Sequence, residues 1–228
     1  MQLLLFDIDG TLLRSNGAGK AVLARALEDT FGTSGPCDDY EMAGKTDPLI
    51  ISDLMCAAGK EAAEIERHLP AVYERMMFHA QKIFCEKNIF PCPGIPGLLE
   101  ALVGRKDVVI GLLTGNIEGT APLKLAAAGI EPSIFRVGAY GSDHKDRNQL
   151  PPFALRRAAD LTKLIFHGEN TTIIGDTPAD IACARTIGAR VVAVGSGGYS
   201  SNTLSQFQPD FLFENFLNKE STLEALIP

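Results

Sequence analysis

Short apolar runs punctuate this chain, each followed by turn residues and then by helix-like spacing. The runs lie at 3–6, 108–113, 171–174 and 191–194, with a weaker one at 134–137. Continuous apolar runs of this length suit strands buried on both faces, the pattern of a parallel sheet. Helical spacing follows near 117–128, 152–165 and 178–187. The last has its limits written into it, with Thr177 as N-cap, Pro178 as first helical residue and Gly188 as the stop. Strand and helix in alternation predict an α/β fold, a doubly wound parallel sheet with a Rossmann-like core.

One stretch breaks the rhythm. Between 15 and 86 there is no strand pattern, only helical spacing near 18–31, 47–58 and 61–86, with Pro70 expected to divide the last. This predicts a helical insert placed straight after the first strand and packed as a small bundle. The Pro-Cys-Pro-Gly-Ile-Pro-Gly stretch at 91–97 marks the return to the sheet. The expected division is a core of 1–14 and 88–228 and a helical insert of 15–87.

Composition narrows the field. The chain has 228 residues, 46% hydrophobic and 21% charged, enough for one large core with a smaller satellite. A formal net charge of -7 argues against nucleic acid, whose phosphates call for basic patches. Five cysteines are odd in number and form no CxxC pair, so neither a disulfide framework nor a zinc site is expected, and a reducing cytoplasm is. The first apolar run is too short for a signal peptide, and nothing approaches the ~20 residues of a membrane span.

Chemistry collects at the strand ends. The first run closes on Asp7-Ile8-Asp9-Gly10-Thr11, and residues two apart in extended chain face one side, so both carboxylates project together. In open α/β sheets ligands bind at that edge. Neighbouring carboxylates repel unless a cation joins them, and oxygen-only ligands favour Mg²⁺ over zinc or copper. Asp176 occupies the same position after another run, in Ile174-Gly175-Asp176-Thr177-Pro178-Ala179-Asp180. A third run ends in Leu113-Thr114-Gly115-Asn116, a hydroxyl and backbone amides.

These three motifs in this order, DIDGT at 7–11, LLTGN at 112–116 and GDTPAD at 175–180, resemble the haloacid dehalogenase superfamily, most closely its phosphoglycolate phosphatase-like members. The resemblance covers nearly the whole chain and makes the insert a cap domain. It implies an Mg²⁺-dependent phosphatase acting on a small phosphorylated metabolite. Asp7 would attack phosphorus and form an aspartyl-phosphate, and Asp9 would serve as acid and then base. Asp7, Asp176 and the backbone carbonyl of Asp9 would hold Mg²⁺, with Thr114, Gly115 and Asn116 binding the phosphoryl group. The family's usual lysine is replaced in Asp146-Arg147-Asn148, where Arg147 aligns with it and Lys145 competes for the role. Asp180 fits either a place behind the metal ligands or the capping box of Thr177. In the insert, Ala43-Gly44-Lys45-Thr46-Asp47 resembles a substrate-specificity loop, with Lys45 and Thr46 expected to touch the leaving group.

A phosphomutase would share every core residue, and a non-catalytic module would be expected to have lost one of them. A dehalogenase would not keep Asp9. Gly44-Lys45-Thr46 is no P-loop, because Asp39 stands where that motif needs glycine. Phosphoglycolate, a sugar phosphate and a nucleotide all remain open as substrates, and the sequence says nothing of oligomeric state.

Overall fold

The computed structural model describes residues 1–85 and 87–227, which leaves the end of the third helical pattern, at Glu86, outside the described residues. In chain order the first elements are β1 (Gln2–Phe6), β2 (Leu13–Arg14), α1 (Ala18–Phe31), α2 (Asp47–Ala57), α3 (Ala62–Ile83), β3 (Phe90–Pro91) and α4 (Ile95–Leu102). Then come β4 (Val108–Leu113), α5 (Ala121–Ala127), β5 (Val137–Ala139), α6 (Pro151–Thr162), β6 (Thr171–Gly175) and α7 (Pro178–Thr186). The chain closes with β7 (Arg190–Val194), α8 (Ser201–Ser205), β8 (Phe211–Phe213) and α9 (Lys219–Leu226).

Six strands form one parallel sheet in the order β5-β4-β1-β6-β7-β8. Successive side chains of β1 serve opposite faces. Leu3 and Leu5 pack with α6, α7 and α8 through residues such as Ala158, Ile181 and Leu204. Leu4 and Phe6 pack with α4, α5 and α9 through Leu98, Leu125 and Leu226. Burial on both faces is why these runs are continuously apolar. The connection from β1 runs to one side of the sheet through β4 and β5, and then returns to its other side at β6. The reversal therefore falls between β1 and β6, where doubly wound sheets open their ligand crevice.

The insert has a hydrophobic cluster of its own, built from Val22, Leu23 and Leu27 of α1, Ile51, Leu54 and Met55 of α2, and Ile65, Val72 and Met76 of α3. Where it leaves and rejoins the core, β2 and β3 pair antiparallel, Leu13 with Pro91 and Arg14 with Phe90. Two residues per strand are too few for a periodicity to show, so this pair was not predicted.

Three further expectations need correction. Pro70 does not divide its helix: α3 is continuous through it. Pro70 lies on the exposed face, where the carbonyl left without a donor meets water. The helix expected from 117 starts only at Ala121, with Pro122 in its first turn, and the N–H groups of Ile117 and Glu118 donate instead to the side chains of Asp47 and Ser142. The weak run at 134–137 is mostly not strand. Pro132–Ile134 forms a 3-10 turn, and pairing with β4 begins at Val137. Beyond β7, β8 adds a sixth parallel strand after the loop at 195–198.

All five cysteines are free thiols. Among the described residues, no helix is long and apolar enough to cross a membrane.

Candidate active site

Because β4, β1 and β6 are neighbours, the residues that follow them, Thr114, Asp7 and Asp176, meet at one edge. The backbone continues the ladder for one step past β1, with Asp7 N–H donating to Ile174 at 2.9 Å. Asp7, Asp176 and Asp180 are all buried, and one carboxylate oxygen from each lies within 4.8 Å of the other two. Gly10, at φ 85°, turns the chain over this cluster, where a Cβ would stand 2.2 Å from the Asp176 carboxylate. Gly197, in the loop after β7, is confined in the same way at 1.7 Å. Thr11 donates to Asp176 Oδ1 at 3.0 Å, which orients that carboxylate.

Arg147 enters from the turn before α6. It is 7% exposed, and its Nη2 lies 2.6 Å from Asp180 Oδ1 and 3.1 Å from Asp7 Oδ1. Its competitor Lys145 is exposed and offers the site no side chain. Asp180 joins Thr177 in a capping box at the start of α7, so the two expected roles of this residue coincide. One guanidinium stands against three buried carboxylates. Burial raises Asp7 to about 6 despite the pull of Arg147, and burial with the charges of Asp7 and Asp180 raises Asp176 well above the ordinary range. A compact all-oxygen donor set with uncompensated negative charge suits a hard divalent cation such as Mg²⁺.

Asp9 lines the same cavity as Asp7 but has a separate set of partners. Its Oδ2 meets Lys124 Nζ at 2.7 Å and Asn116 Nδ2 at 2.9 Å, and its Oδ1 accepts from Ser15 at 3.0 Å. Burial would raise its pKa, but the Lys124 charge and these hydrogen bonds overcome that and lower it. Thr114 Oγ1 accepts from the Asn116 side chain at 2.8 Å and backbone at 3.3 Å, which leaves its own hydrogen to donate.

Three residues expected at the substrate have other partners in the structure. Asn116 lines the cavity, and its side-chain amide also bridges Asp9, Thr114 and Lys124. Gly115 is pressed against the insert: a Cβ would stand 2.1 Å from the Lys45 carbonyl, and its own carbonyl accepts from Asp47 N–H at 2.8 Å. Thr46 is fully buried, and its hydroxyl caps α2 and donates to the Lys145 carbonyl at 2.6 Å. It is a joint between insert and core and does not line the cavity. Lys45 does line it, with Nζ 3.9 Å from the centre of the Tyr40 ring and 3.9 Å from Asp53.

Several residues escaped the sequence reading. Lys124 is buried at the site, and the available signal was a lone cation in the apolar helix Ala-Pro-Leu-Lys-Leu-Ala-Ala. Asp47 accepts from Ile117 N–H at 2.8 Å, and burial raises its pKa to about 6. Thr11 was quoted within its motif without a role. Asp7, Asp9, Thr114, Lys124, Arg147 and Asp176 face a cavity of about 660 Å³ between the strand ends and the insert.

Comparison with known proteins gives a consistent picture. The profile of the family described as haloacid dehalogenase-like hydrolase matches residues 4–194. A phosphoglycolate phosphatase from Rhodospirillum rubrum is 27% identical over 216 residues, covering 93% of this chain and 86% of the relative. The pyrophosphatase PpaX of Oceanobacillus iheyensis is 25% identical over 215 residues, covering 93% and 92%. Among solved structures, a hydrolase from Pseudomonas syringae shares the fold with a TM-score of 0.73 at 21% identity, over 100% of both chains.

Proposed function

The chain belongs to the haloacid dehalogenase-like hydrolase family and is an enzyme of its phosphatase kind; from that premise we propose that it hydrolyses the phosphate ester of a small metabolite through an aspartyl-phosphate on Asp7. The observation that carries this reading is the buried trio Asp7, Asp176 and Asp180 with Arg147, set at the β1/β6 crevice beside the Thr114 hydroxyl.

Asp7 attacks phosphorus in line, with Arg147 holding its Oδ1 and leaving the second oxygen for the new bond. Thr114 donates to a phosphoryl oxygen, a preorganised contact of the kind that contributes ~10²–10³ in rate. Asp9 delivers a proton to the bridging oxygen and then takes one from the water that cleaves the acyl phosphate. Asp7 and Asp176 would hold Mg²⁺ together with the Asp9 carbonyl; when bound, the ion supplies charge neutralisation for the phosphoryl group. Asp180 stands behind these ligands and fixes Arg147. The helices of 15–87 act as the cap, and Lys45 faces the non-phosphate part of the substrate from there. The named relatives favour a short anionic substrate such as phosphoglycolate or a diphosphate.

The test is hydrolysis of p-nitrophenyl phosphate with Mg²⁺ and with EDTA, together with acid-quench trapping of the phosphoenzyme. Turnover and label should both require Mg²⁺ and vanish in Asp7→Asn, while Asp9→Asn slows turnover strongly without unfolding the protein. Undiminished hydrolysis by Asp7→Asn would falsify the mechanism.

A further inference from the structure

Lys124 is used neither by the motifs nor by the chemistry above. It stands on α5 among apolar and small residues and is 4% exposed. An ammonium has three donors and no acceptor. Two are taken, by Asp9 Oδ2 at 2.7 Å and Asn116 Oδ1 at 2.6 Å. Among the described residues the third has no acceptor within hydrogen-bond distance, and the side chain lines the cavity. Gly19, in the first turn of α1, lies opposite: a Cβ there would come within 3.3 Å of Nζ, so the glycine leaves space beside the ammonium. α1 is preceded by Gly17 at its N-cap, with no side-chain cap and no acidic residue in its first turn, so that end of the insert brings no counter-charge.

A buried ammonium with an unused donor beside open space is equipped to bind an oxygen of the ligand. Its position decides which oxygen. Asp9 would protonate the bridging oxygen of the ester, and Asp9 touches Lys124, so atoms two or three bonds beyond the bridging oxygen come within reach of Nζ. The charges of Asp9 and Asp47 would otherwise repel an anionic leaving group there. We infer that Lys124 is a specificity-determining residue, whose third N–H takes an anionic oxygen of the leaving group, a carboxylate or a second phosphoryl group, next to the scissile bond. The inference rests on the phosphatase reading above and narrows its substrate class. Esters whose leaving group is neutral at that point, as in nucleoside monophosphates, are disfavoured.

The experiment compares kcat/KM for 2-phosphoglycolate, inorganic pyrophosphate and 2-hydroxyethyl phosphate, a neutral match for the first, in the wild type, Lys124→Met and Lys124→Arg. The wild type should prefer phosphoglycolate or pyrophosphate to the neutral ester by about 10- to 100-fold, the worth of one charge-assisted hydrogen bond. Lys124→Met should erase that preference while costing the neutral ester less, and Lys124→Arg should keep part of it. The substrate that loses most identifies the oxygen as carboxylate or phosphoryl. Equal losses on all three would mean that Lys124 acts only through Asp9 and would overturn the inference. A wild type that favours neither anionic substrate overturns it without any variant, so a misfolded Met variant leaves it exposed. If the wild type hydrolyses p-nitrophenyl phosphate but shows no anionic preference, only this inference fails; if it hydrolyses no ester at all with Mg²⁺, the phosphatase reading fails with it.

Discussion

Asp7→Asn should make the metal-free protein more stable while destroying its activity. Asp7 is 5% exposed and lies against two other buried carboxylates, and its pKa rises from 3.8 to about 6. A carboxyl group raised in the folded state contributes its full stability below pH 3.8 and loses it as pH climbs toward 6. Above that, the cost is the shift times about 1.4 kcal/mol per unit, or about 3 kcal/mol for Asp7. Asparagine copies the neutral acid in shape and escapes that cost. The attraction of Arg147 is already contained in the shift, so losing the ion pair does not cancel the gain. For a chain of this size, about 3 kcal/mol corresponds to roughly 6–12 °C in Tm. The chain has no tryptophan, so far-UV circular dichroism is the convenient probe. Melting in EDTA at pH 7.5 should show the variant well above the wild type, the gap closing toward pH 4. Adding Mg²⁺ should raise the wild type more than the variant. A variant no more stable than wild type at pH 7.5 in EDTA would refute the electrostatic account of the cluster.

Other outcomes follow from the same geometry. Arg147→Ala leaves Asp180 as a buried unpaired charge and should cost about 3–5 kcal/mol along with most of kcat/KM, whereas Lys145→Ala should leave both nearly unchanged; denaturant melts and kinetics separate the two. Thr46→Val removes an N-cap and a contact to the loop carrying Arg147. It should cost about 1 kcal/mol and speed amide exchange over 113–117 and 140–147, seen by hydrogen exchange. Lys45→Ala should impair the best natural substrate more than p-nitrophenyl phosphate. Equal effects on both would make Lys45 a surface residue.

The local layer of this protein is written in its sequence. Buried parallel strands need unbroken apolar runs, and the two-residue spacing of Asp7 and Asp9, the Thr177 capping box and the Pro178 start are short-range features that one chain segment determines alone. The family resemblance, read from three motifs, agrees with the profile match over 4–194. Tertiary structure decided what depends on segments far apart. The Asp9 carboxylate is paired with Lys124, 115 positions away, a contact that no local pattern announces. Thr46 looked like a ligand contact, but a side chain's free valences are known only once its neighbours are, and its hydroxyl is spent on the Lys145 carbonyl and the cap of α2. The choice between Arg147 and Lys145 was likewise beyond local pattern. Both are cations on one loop, and only the packing of that loop against α7 buries one beside Asp180 and leaves the other in water.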